Sequence, residues 1–149
     1  MHPVATIGYE RAAQSRVIDA LSGAGVELLI DVRAVAASRR AGFSKTLLRG
    51  SLNEAGVDYL HLRDLGTPKD GRIAARAGRA AEMLSIFDAH MKTAAALAAL
   101  DQAVELAGQR KVCLLCYEHD PRCCHRTVVA ERIAARTGQP IAHLFPDLI

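Results

Sequence analysis

The sequence predicts an α/β fold: a single domain over residues 1–149, with a mostly parallel sheet of about five strands and helices on both faces, in three layers. Three observations lead there. Strand-like runs alternate with helix-like runs along the chain. The runs "VELLIDVR" and "KVCLLC" are apolar nearly throughout, as strands covered on both faces are. No repeat, low-complexity tract or linker divides the 149 residues, a length that one core organises by burying about 68–70% of the unfolded surface.

Each element has its own signal. "VATIGY" (4–9) is a short strand with β-branched residues and a glycine stop. "QSRVIDALSGAG" spaces Val17, Ile18 and Leu21 as a helix does and ends in glycines. Residues 26–33 form the second strand. Ser44 is a helix cap before Leu47, Leu48 and Leu52, with Gly56 as the exit and Gly50 an interior weakness. "VDYLHL" (57–62) alternates as a strand, and "GTPKDGR" (66–72) is turn chemistry. Residues 73–91 and 94–107 are alanine-rich helices; Met83, Leu84, Phe87 and Met91 mark the buried face of the first, and Thr93 caps the second. Residues 111–116 form the fourth strand. Asp120-Pro121 starts the last helix, which stops at Gly138, and 141–145 is a final strand.

Composition bounds the function classes. No apolar run approaches the roughly 20 residues of a membrane span, and "MHPVATIGYE" lacks the pattern of a secretory signal. The expectation is a cytoplasmic protein without a membrane partner. Four cysteines fall between positions 113 and 124, too clustered for a disulfide framework, so reduced thiols are expected. A net charge of +3 is too mild to indicate nucleic-acid binding by itself.

The charge pattern says more. From Val32 to Asn53 there is no acid, yet Arg33, Arg39, Arg40, Lys45 and Arg49 are all present. A one-sign stretch favours an anionic partner, such as phosphate, a nucleotide or a nucleic-acid backbone. Its plain alternative is a solvated face paired with acids elsewhere.

In parallel sheets ligands bind beyond the carboxyl ends of the strands. There the sequence offers Tyr9, then Asp31 and Arg33, then His61, then Cys116, Glu118 and Asp120. Asp31 and Arg33 flank Val32 and point to one face of their strand. A mutual ion pair is the simpler reading, and general-base duty for Asp31 the sharper one.

The stretch "LLCYEHDPRCCHR" (114–126) admits several chemistries. Cys116 to Arg122 spells the Cys-x5-Arg of cysteine phosphatases, but the loop has no glycine and holds two acids. Cys116, Cys123, Cys124 and His125 are zinc-type groups at spacing unlike that of structural zinc sites, so no metal site is assigned. Cys124 near a helix start suits a nucleophile or redox thiol, with small-residue packing as the alternative. His125 is an acid–base candidate or a partner for a loop carbonyl.

"TIGYE", "LLIDVRAVAASRRAGFSK", "YLHLRDLGTPK" and "VCLLCYEHDPRCCHRTVVAERIA" together resemble the bacterial domain-of-unknown-function-488 family over almost the whole chain, in order. The resemblance implies an α/β fold and a site shared by Asp31-Arg33 and Cys124-His125-Arg126. It supplies no reaction.

The leading expectation is an anion-binding pocket at the strand carboxyl ends. Arg33, Arg39 and Arg126 would hold the anion, Lys45 would add charge, and Cys124 or His125, with Asp31, would carry any chemistry. Tyr9, His61, Cys116, Glu118 and Asp120 complete the candidate lining. A second expectation is a non-catalytic interaction module, in which Arg33 pairs with Glu118 or Asp120 and Arg126 with Asp31. A third is a thiol-redox or metal-binding protein. The sequence names no cofactor, reaction or oligomeric state.

Overall fold

The computed structural model describes residues 1–148. Among them five strands form one all-parallel sheet: β1 (Val4–Gly8), β2 (Leu28–Asp31), β3 (Asp58–His61), β4 (Val112–Cys116) and β5 (Ile141–Leu144), in the order β3-β2-β4-β1-β5. Six α-helices connect them: α1 (Gln14–Gly23), α2 (Lys45–Glu54), α3 (Lys69–Arg76), α4 (Ala80–His90), α5 (Ala94–Gln109) and α6 (His125–Thr137). The three-layer α/β architecture read from the sequence is the observed one.

Strand alternation divides the core in two. Leu28, Ile30, Val112 and Leu114 face α4, α5 and α6, packing with Phe87, Met91, Leu100, Val129 and Ile133. Ala5, Ile7, Leu29 and Leu115 face α1 and α2, packing with Val17, Leu21, Leu48 and Leu52. The central strands β1, β2 and β4 are buried at every position, which is why they read as continuous apolar runs.

The crossovers position the site. The chain leaves β1 and β2 toward the α1/α2 face, but leaves β3 and β4 toward the opposite face, and β4 lies between β2 and β1. Where connections diverge to opposite faces, a crevice opens beyond the carboxyl ends.

Some boundaries differ from expectation. The helix expected over 73–91 is two helices, α3 and α4, broken where Gly78 takes φ +78°. The expected turn at 66–72 already contains the start of α3. The last helix begins at His125, later than Asp120-Pro121 implied. Asp120 instead caps a single 3₁₀ turn, Pro121–Cys123, by accepting from the Arg122 N–H.

Candidate functional site

Two glycines let the loops at the carboxyl edge close on one another. A Cβ on Gly8, the last residue of β1, would sit 1.8 Å from the Glu118 carbonyl oxygen. A Cβ on Gly66 would sit 2.2 Å from the Ala34 backbone nitrogen. Only glycine permits these approaches. They bring the exits of β1 and β4, and of β2 and β3, against each other around a cavity of about 610 Å³. Tyr9, Arg33, Cys116, Glu118 and His125 contribute to its wall.

At its inner end three groups converge. Cys116 ends β4, Cys124 is the residue before α6, and His125 is the first residue of that helix. All three are buried, and their ligating atoms lie within 4.8 Å of one another. His125 Nε2 is 2.8 Å from the Val32 carbonyl oxygen, so this nitrogen carries the proton and donates. Cys116 Sγ lies beside the ring, 3.5 Å from Nδ1 and 3.9 Å from Nε2. Phe87 packs edge-on against the imidazole and fixes its plane.

The thiols differ in proton affinity. Burial raises that of Cys124, but the Cys116 thiol and His125 outweigh it and hold Cys124 well below the ordinary range. Cys116 is pushed well above it, by its neighbour Cys124 first and by burial second. For His125, burial favours the neutral ring, but the Cys124 sulfur reverses this and raises its pKa. Glu118 is pushed up to about 7, mainly by burial and then by Cys124. One of its carboxyl oxygens is buried without a hydrogen-bond partner.

Access runs opposite to ionisation. Cys116 and His125 line the cavity, while Cys124, the thiol that ionises more readily, lies behind them at 2% exposure. This places the candidate nucleophile away from the open wall.

Two of the three arginines expected to hold an anion are engaged elsewhere. Arg33 donates from Nε and Nη2 to both oxygens of Asp31, closest at 2.7 Å, and from Nη1 to the Tyr9 hydroxyl and the Phe43 carbonyl. Four of its five N–H groups are engaged, so it borders the cavity without a free bidentate face. Asp31 is fully buried and also accepts from Tyr59 Oη at 2.6 Å. Its oxygens are saturated, which corrects the general-base reading in favour of the ion pair.

Arg126 is fully buried, its guanidinium tucked beneath the loop after β4, where it donates to the Glu118 and His119 carbonyls. It anchors that loop and does not line the cavity. Asp120 pairs with exposed Arg122, which removes the phosphatase-like loop. The pairings supposed for an interaction module, Arg33 with Glu118 or Asp120 and Arg126 with Asp31, are absent among the described residues.

The acid-free stretch also disperses. Arg39 is exposed away from the cavity. Arg40 donates to the Ala12 carbonyl, and Arg49 lies over the Tyr59 ring. Lys45 and His61 border a separate hollow with Arg63 and Asp64, where His61 Nε2 also contacts the Arg33 carbonyl oxygen at 2.7 Å. One segment feeds several surfaces because its residues straddle a strand exit, a loop and a helix.

The other cations that border the cavity come from α3: Arg72, which donates to the Thr67 carbonyl at 2.9 Å, and Arg76, which is exposed. Sequence reasoning passed over them. The available signal was their four-residue spacing, which aligns them on one helical face, but that segment was assigned partly to a turn.

The family model described as "Domain of unknown function DUF488" matches residues 13–133, a span from just before α1 into α6 that includes every residue of the inner cluster. No curated protein and no solved structure matches the chain. The sequence match over most of the chain places this protein in the DUF488 family.

Proposed function

We propose that this protein binds an anionic small molecule in the carboxyl-edge cavity and acts on it with the Cys116–Cys124–His125 cluster and Glu118. One observation carries the reading: a single cavity of about 610 Å³ joins two helix-borne arginines to a buried group of ionisable side chains. Volumes of about 300–1,000 Å³ suit small ligands. Arg72 and Arg76 supply charge at the entrance, and the cluster supplies reactive groups at the inner end. Perturbed ionisation within a cleft supports a chemical role for these groups.

The concave shape favours a phosphate- or carboxylate-bearing metabolite over a nucleic-acid polymer. A polymer needs a continuous basic track, whereas Arg39, Arg40, Lys45 and Arg49 point to different surroundings.

Calorimetric titration against a panel of nucleotides, sugar phosphates and short carboxylic acids tests the proposal. A binder should lose affinity about 10- to 100-fold when Arg72 and Arg76 are both replaced by alanine, as charge-assisted contacts are lost. Arg39→Ala should leave affinity unchanged. A panel bound equally well by the double variant and the wild type would remove the idea.

A further inference from the structure

The inner cluster has a feature that a lone nucleophile does not need: three soft or borderline ligand groups, all buried, within 4.8 Å of one another. We infer that Cys116, Cys124 and His125 form a binding site for a zinc-like divalent cation, with the fourth coordination position opening into the cavity. The inference deepens the proposed function by naming the cofactor of that site, and it rests on the same cavity.

Four observations support it. First, two sulfurs and one imidazole nitrogen lie within 4.8 Å of one another, all from buried residues. Tetrahedral zinc with Zn–S near 2.3 Å and Zn–N near 2.0–2.1 Å places sulfur and nitrogen about 3.6 Å apart. Cys116 Sγ and His125 Nδ1 are 3.5 Å apart.

Second, His125 shows the outer contact that metal-bound histidines have. Its remote nitrogen donates to a backbone carbonyl, that of Val32, at 2.8 Å. This fixes the tautomer, leaves Nδ1 with its lone pair and locks the ring orientation.

Third, Cys116 ends a central strand and Cys124-His125 opens a helix packed on that strand, so rigid elements fix the spacing. The two sulfurs are not bonded to one another.

Fourth, three protein ligands with one face toward a cavity is the arrangement of catalytic rather than structural zinc sites. Cys116 and His125 line the cavity, and Glu118 borders the same wall with a buried carboxyl oxygen that has no protein partner. With a metal held there, Glu118 would be a carboxyl group on the same wall able to accept a proton. Binding displaces the thiol protons to solvent, the metal taking their place on each sulfur.

The experiment uses the full chain, reduced and stripped with a chelator, then titrated with cobalt(II) and zinc. The expected result is one cobalt per chain with the thiolate-to-metal charge-transfer absorption of two sulfurs and the visible bands of tetrahedral geometry. Zinc should displace the cobalt and raise the thermal midpoint. Cys116→Ser and Cys124→Ser should each weaken zinc by more than about 100-fold, beyond the loss typical of outer-contact changes. Cys123→Ser, whose thiol is exposed outside the cluster, should bind as the wild type does.

Circular dichroism of each variant separates loss of ligand from loss of fold. The titration of the wild type decides the matter even if both variants unfold. Folded, reduced protein with no thiolate-to-cobalt band, or a Cys116–Cys124 disulfide forming in place of metal uptake, overturns the inference. Anion binding by chelator-treated protein is read independently. Its survival without metal uptake leaves the proposed function standing, and metal uptake without anion binding does the reverse.

Discussion

Asp31 and Arg33 show how a residue pair that looks catalytic becomes scaffolding. Both side chains are buried, the carboxylate holds the guanidinium through two nitrogens, and Tyr59 and Tyr9 complete the set. Breaking such a pair strands a buried charge. Asp31→Asn should therefore cost about 3–5 kcal/mol, read from urea unfolding midpoints. A loss below about 1 kcal/mol would show that the pair is not a structural support.

Glu118 behaves in the opposite sense. Burial raises its folded-state pKa to about 7, above the unfolded value of about 4.3. The folded chain thus holds a proton that the unfolded chain releases, so this group's contribution falls as pH rises from about 4.3 to 7 and stays low above that. In chelator-treated protein Glu118→Gln should be the more stable form at pH 8, by on the order of 1–3 kcal/mol, and lose the advantage near pH 4. Parallel stability–pH curves for the two proteins would contradict this.

At the scale of elements, glycines of one composition do different work. Gly8 and Gly66 sit where an added Cβ meets backbone atoms at 1.8 and 2.2 Å, so alanine at either forces the loops around the cavity apart. Each substitution should cost more than about 3 kcal/mol. Gly50 lies inside α2 with nothing within 4 Å of its Cβ position. There alanine should stabilise by roughly 0.5–1 kcal/mol through helix propensity. Thermal melts of the three variants settle both signs together.

Helix ends show the same dependence on surroundings. Thr93 caps α5 as expected, accepting from the Ala96 N–H at 3.3 Å. Ser44 precedes α2 but bonds to Ser38, tying down the loop after β2 instead of the helix. Local sequence proposes a cap, and the nearest partner decides whether it is used.

Across the whole molecule, stability is unevenly distributed. The strands β1, β2 and β4 form the doubly covered centre, whereas α3 packs mainly on α4 and has several exposed positions. Native-state hydrogen exchange should find the slowest amides in the central strands and earlier, sub-global opening over residues 67–90. Because Arg72, Arg76 and Met83 belong to the cavity wall, a bound anion should slow exchange in that segment selectively. Uniform protection across the chain would argue against a ligand seated there.

The sequence by itself determined the layers and the parallel strands, and it offered Cys116, Cys124 and His125 as candidates without separating them from Cys123, Asp31 or Arg126. Continuous apolar runs require two covering faces, and Cys116, Cys124 and His125 stand at the ends of elements whose signals are local. Tertiary structure alone decided which charges are free. A guanidinium's availability depends on acceptors distant in sequence or on a neighbour's rotamer: Arg33 is spent on Asp31 and Tyr9, and Arg126 on the loop carbonyls above it. Arg72 and Arg76 reach the cavity because an α3–α4 break at Gly78 folds a short helix over the sheet edge. Local patterns encode which side chains are buried, but the partner each buried charge finds is set by the packing of elements far apart in the chain.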